Sequence, residues 1–175
     1  MLMTVRCLTA SVESQVTAQL YAANETSSRQ PRMRTLCVAQ YRMEEQLKDF
    51  AEGRSTQNLT IIYSDMHGLW GGITVTLSTD GAYERLERAR GHIVPDMLRR
   101  TLTAAQIQEV IRLLLARRLW EQQTLLRTPL PDEVRATLTL RTGNLETSVW
   151  DLYNNLEKND RIGRVRRLLL KLAKE

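Results

Sequence analysis

The chain has 175 residues, of which 42% are apolar and 26% charged. These fractions suit one soluble globular domain, alone or with an extension, and exclude a disordered chain. The net charge is +5, no apolar run approaches the roughly 20 residues of a membrane span, and Cys7 and Cys37 match no zinc or disulfide pattern.

At the N-terminus Arg6 leads into Ser, Glu and Gln rather than an apolar stretch, so no signal peptide is expected. A cytoplasmic protein with two reduced thiols follows. Residues 1–57 read as an N-terminal extension, partly helical or mobile. Val12, Val16 and Leu20 recur at four-residue steps and predict a short helix over Ser11 to Ala23. "NETSSRQPR", from Asn24 to Arg32, is a polar linker. Tyr41, Leu47 and Phe50 line one face of a helix predicted from Val38 to Glu52 and stopped by Gly53. Both stripes are thin, and such helices need something to pack on. Met33 and Met43 are internal methionines and candidate natural start sites, which an intact mass from the native host would decide.

Residues 58–175 read as an α+β domain. "LTIIYS" is a β-rich run. In "ITVTLSTDGAYERLER", Ile73, Val75 and Leu77 alternate with threonine, so one face is buried. Asp80-Gly81 makes the turn, and the return strand runs from about Ala82 to Arg88. Thr103 and Gln106 form a capping box before a helix with Ile107, Val110, Ile111, Leu114 and Leu115 on its apolar stripe. Pro129 and Pro131 place a loop next. Val134, Ala136, Leu138 and Leu140 alternate with polar residues, Gly143-Asn144 turns the chain, and Leu145, Thr147 and Val149 return. Asp160 is positioned to cap a last helix with Ile162, Val165, Leu168, Leu169 and Leu172 on its apolar side. Trp120 and Trp150 end amphipathic elements and are expected in the core. The order is β-β-β-α-β-β-α. It predicts a two-layer, mainly antiparallel sheet with two amphipathic helices on one face.

Little in the chain resembles a catalytic constellation. There is no phosphate-cradling glycine loop and no G-x-S-x-G elbow. Asp65-Met66-His67 is the one carboxylate–histidine arrangement, but two ligands do not make a zinc site. No enzyme activity, metal or cofactor is expected. From Arg161 to the C-terminus stand six basic residues and one acidic one. Arg164, Arg166, Arg167 and Lys171 there offer an alternative surface for an anionic ligand or nucleic acid. A second basic stretch holds Arg85, Arg88, Arg90, Arg99 and Arg100. No aromatic residues interleave with these charges as a base-stacking platform requires, so nucleic acid is the less expected ligand. Gly68, Gly71 and Gly72 surround Leu69 and Trp70 in a bend that exposes backbone.

A strand, the bend "GLWGG", a helix opened by "LTAAQ", a loop ending in Pro131-Asp132, the "TLTLRTGN" hairpin and a closing helix together resemble the emfourin-like proteins. The resemblance runs over about residues 59–174. That family comprises small bacterial α+β domains named for inhibitors of thermolysin-like metallopeptidases. Its bend has the form Ser-Gly-Gly-Phe-Ala-Gly, whereas Ser64 here is followed by Asp65-Met66-His67 before Gly68, with Trp70 near the aromatic position. The resemblance implies a non-enzymatic, protease-inhibitor-like module acting through residues 64–72. Asp65, His67, Leu69 and Trp70 are the expected contacts for a protein partner, with a metallopeptidase as the implied one. The sequence leaves the oligomeric state open.

Overall fold

The computed structural model describes residues 38–122 and 130–174. The predicted helix over 11–23, the linker, both cysteines and Met33 lie outside the described residues. The chain runs α1 (Val38–Ala51), β1 (Leu59–Ser64), β2 (Gly72–Ser78), β3 (Ala82–Arg88), β4 (Asp96–Thr101), α2 (Ala104–Ala116), β5 (Arg135–Thr142), β6 (Leu145–Leu152) and α3 (Ile162–Leu172). Single 3-10 turns follow α2 and β6.

One six-stranded sheet has the order β4-β3-β2-β1-β5-β6, with every neighbouring pair antiparallel. Because side chains alternate between faces, the register decides what meets in the core. Tyr83, Leu77, Ile61 and Leu140 share one row across the sheet, and Val75, Tyr63, Leu138 and Val149 share the next. All eight are buried. The other face carries Thr60, Ile62, Thr74, Thr76, Thr139 and Ser148, none of them buried. The helices lie on the apolar face, giving the predicted α+β two-layer architecture.

The capping box is formed: Gln106 N–H donates to Thr103 Oγ1 at 3.3 Å, and Thr103 N–H donates to Gln106 Oε1 at 2.9 Å. A cap of this kind contributes about 1 kcal/mol. In the first hairpin, Asp80 Oδ1 accepts from Ala82 N–H at 3.0 Å. That bond holds the Asp80 carboxyl below the usual carboxylate range.

Five expectations need correcting. β4 was not predicted; "DMLRRT" shows no alternation because it is an edge strand exposed along most of its length. Three helices cover the sheet rather than two. α1, assigned from sequence to the extension, buries Met43, Leu47 and Phe50 in the same core as the sheet, so the expected division at residue 57 runs through that core. Asp160 does not cap the last helix. Asn159 Oδ1 accepts from Arg161 N–H and Ile162 N–H at 2.9 and 2.8 Å, while Asp160 pairs with Arg117 and Arg164. Finally, Trp120 is in the core, but Trp150 follows Val149 in a strand and so points to the open face. There the guanidinium of Arg135 stacks 4.4 Å from its ring centre.

Leu47→Ala tests the place of α1. Leu47 is fully buried, so loss of about 2–3 kcal/mol is expected from the emptied volume. A change in the urea midpoint near zero would show that α1 is a dispensable appendage.

Candidate functional site

β1 and β2 are joined at one end of the sheet by residues 65–71. The register puts three other connections at the same end. β3 leaves for β4 there, since Glu87 pairs with Asp96. β5 begins there, since Thr137 pairs with Ser64, and β6 ends there, since Leu152 pairs with Arg135.

The bend is a tight hairpin tip. His67 and Gly71 exchange backbone hydrogen bonds of 2.7 and 3.1 Å, enclosing Gly68, Leu69 and Trp70. The His67 ring finishes the tip. Nδ1 accepts from the N–H groups of Leu69 and Trp70 at 3.2 and 3.3 Å, which leaves the ring proton on Nε2 to donate to the Pro131 carbonyl at 3.2 Å. Arg88 clamps the tip from β3, donating to the carbonyls of His67 and Gly68 at 2.5 and 3.1 Å. Gly71 has φ +78°, and any Cβ on it would overlap the Arg88 carbonyl.

Beneath the tip lies a buried polar cluster. Asp65, expected at the contact surface, is only 2% exposed. Its Oδ1 accepts from Ile73 N–H at 2.7 Å. Its Oδ2 accepts from Tyr63 OH at 2.8 Å and from Arg166 Nε at 3.3 Å. Arg166 Nη2 reaches Tyr153 OH at 3.4 Å. Burial, with Asp65 beside it, pushes the Tyr63 hydroxyl well above its ordinary range, so it stays a donor. Burial works against the Arg166 charge, but Tyr63, Tyr153 and Asp65 outweigh it and hold the guanidinium above its usual value. Asp65 and His67 therefore serve different partners, and no carboxylate–imidazole pair forms. Asp65 holds the base of the bend, and His67 holds its tip.

Leu69 and Trp70 remain outside, 73% and 43% exposed. Arg90 lies 4.1 Å from the Trp70 ring centre, an attraction that also stiffens the indole. Ile93 and Val94, in the neighbouring loop, are 93% and 76% exposed. The remaining large apolar side chains exposed among the described residues are Met97, Leu98, Leu130 and Tyr153. Seven of the eight fall in the loops or strand ends at this one end of the sheet; Leu98 lies mid-strand in β4, opposite Arg85. Sequence reasoning found Leu69 and Trp70 through the glycines around them. It missed Ile93, Val94, Tyr153 and the clamp Arg88; an apolar pair just before Pro95 in a polar stretch was the available signal. A cleft of about 280 Å³ opens beside the bend, lined in part by Trp70, Arg88, Tyr153 and Arg166.

The basic residues of the alternative surface are not gathered as free charges. Arg164 pairs with Asp160 at 3.0 Å and Arg166 with Asp65 at 3.3 Å; Arg167 and Lys171 are exposed on α3. The second basic stretch is likewise engaged. Arg85 pairs with Glu87, Arg99 with Glu84, and Arg100 donates to the Leu172 carbonyl. A larger depression of about 720 Å³, lined in part by Arg117, Arg118, Asp160 and Arg161, is open and polar. Its guanidinium groups pair with Asp160 and Glu121. Among the described residues no three His, Cys, Asp or Glu side chains gather as a metal site, and no helix is long and apolar enough to cross a membrane. The chain matches no family model and no curated protein.

Proposed function

We propose that this chain is a non-enzymatic, cytoplasmic protein-binding domain that engages its partner through the apolar end of the sheet. The observation that supports this is the gathering at that end of seven of the eight large apolar side chains exposed among the described residues. Exposed apolar side chains grouped at one surface and rimmed by polar groups are a common mark of a protein contact. Leu69 and Trp70 are the anchors. Asp65 and His67 contribute by holding the bend that presents them, which lowers the ordering cost of binding. The emfourin resemblance supplies the partner to try first, a thermolysin-like metallopeptidase.

The test is capture from host lysate, and in parallel from a purified thermolysin-like peptidase, by wild type, Leu69→Asp and Trp70→Ala. Both variants change exposed side chains and should melt close to wild type. An anchoring Trp typically carries about 2 kcal/mol or more, so binding should fall roughly 30-fold with Trp70→Ala. Equal recovery by all three chains would sink the reading. An anionic ligand on Arg164, Arg166, Arg167 and Lys171 is the rival. It would show steep weakening with salt through counterion release and indifference to Trp70.

A further inference from the structure

β4 is an edge strand with no neighbour on its outer side among the described residues. Such an edge is a template for another strand. We propose that β4 pairs with β4 of a second copy of this chain, joining two sheets about a two-fold axis through Leu98.

Three features of the strand fit this pairing, and its charge pattern favours its own copy over an unrelated strand. The first is hydrogen-bond parity. Leu102 N–H donates to the Gly81 carbonyl of the neighbouring strand at 2.9 Å. Backbone groups alternate sides along a strand, so those of Asp96, Leu98 and Arg100 also point inward to β3. Those of Met97, Arg99 and Thr101 point outward and are available to a new neighbour.

The second is charge. With Leu98 on the axis, Asp96 falls opposite Arg100 of the other copy, and Arg100 opposite its Asp96. Opposite charges directly across a strand pair stabilise it, and like charges there oppose it. β4 bears three charged residues, and this register sets none of them against its like. Asp96, Leu98 and Arg100 lie on the core side of the sheet, since their partners on β3 are Glu87, Arg85 and Tyr83. The two-fold keeps the core sides together, so the two sheets continue with their helices on one face. Arginines on an edge usually discourage pairing, but here each has an acceptor within its own chain, and a guanidinium's five N–H donors leave Arg100 others for Asp96 of the second copy. Arg99 pairs with Glu84 at 2.7 Å, and Arg100 donates to the Leu172 carbonyl at 2.8 Å.

The third is length. Met97 exchanges both backbone bonds with Arg99 of the other copy, and Thr101 N–H reaches the Pro95 carbonyl. Pro95 has no N–H to return, so the ladder stops at the same place on both sides. Leu98 meets Leu98 as a non-hydrogen-bonded pair, whose Cα atoms approach to about 4.5 Å. That is within disulfide reach, about 4.4–6.8 Å.

Sedimentation equilibrium of the full chain should give about twice its 20.2 kDa. Asp96→Arg sets two like charges across the new pairing and should weaken the dimer at least tenfold. Asp96→Arg with Arg100→Asp should tighten it again relative to Asp96→Arg alone. In a Cys7→Ser, Cys37→Ser background, Leu98→Cys should oxidise to a covalent dimer and Met97→Cys should not. The cross-link decides the matter if Asp96→Arg does not fold. A 20.2 kDa monomer at all concentrations up to hundreds of micromolar would overturn the proposal. So would a folded Asp96→Arg chain that dimerises as tightly as wild type, or a Leu98→Cys chain that stays monomeric under oxidation.

Discussion

Alanine at Gly71 or at Gly72 is expected to cost about 3–4 kcal/mol of stability, since a strained backbone alone costs about 1–3 kcal/mol and an overlap adds to it. Gly71 and Gly72 sit at φ +78° and +134°, where side chains other than hydrogen are strained. At Gly72 a Cβ would stand 2.5 Å from the Asp65 carbonyl and 2.8 Å from Asp65 Oδ1. At Gly71 it would meet the carbonyl of Arg88. The nearest obstacle at each is a backbone carbonyl rather than the flexible end of a side chain, so the bend must open to relieve it. Gly68 is the control. Nothing lies within 4 Å of a Cβ there and its φ is not positive. Gly68→Ala should change stability by no more than about 0.5 kcal/mol. Urea midpoints of the three variants check this. A Gly72→Ala chain as stable as Gly68→Ala would show that the bend tolerates a different backbone.

Asp65→Ala is expected to lower stability by roughly 3 kcal/mol, the lower end of the range for breaking a buried ion pair. It strips the acceptor from Ile73 N–H, from Tyr63 OH and from Arg166 at once. Arg166 keeps 24% exposure of its side chain, so water recovers part of its solvation and the full range does not apply. Asp65→Asn retains an oxygen for Ile73 N–H and should lose about half as much. Adding Arg166→Met to Asp65→Ala removes the orphaned charge, so the double variant should be more stable than the sum of the single losses. A double-mutant cycle by thermal or urea unfolding measures that coupling. Additive losses would mean that Asp65 and Arg166 act separately, and that the cluster is not a unit beneath the bend.

Much of the architecture follows from local pattern. Alternation of Ile73, Val75 and Leu77 with threonine, and of Ala136, Leu138 and Leu140 with polar residues, specifies strands with one wet face. Asp80-Gly81 and Gly143-Asn144 specify turns because glycine accepts a positive φ. The Thr103–Gln106 box and a stripe at helical spacing specify α2. Each of these signals is complete within about a dozen residues, so no distant contact is needed to read it. The exposed Leu69 and Trp70 were legible for a related reason. Glycines on both sides of two large apolar residues mark a backbone that turns too tightly to bury them.

What the sequence by itself determined, then, is most of the strands and helices, all but β4, and where one chain reversal presents apolar side chains. The tertiary structure alone decided the rest. It put β1 at the centre of the sheet by pairing residues 60–64 with residues 137–141, a contact no local period encodes. It made a strand of 96–101, whose stability comes from β3 and not from its own composition. It gave α1 a core to pack on. It brought Arg166 to Asp65 from 101 positions away, turning an apparent surface charge into the support of a bend. The physical reason is the same in each case: burial and pairing are properties of two segments at once, and a pattern within one segment cannot name the other.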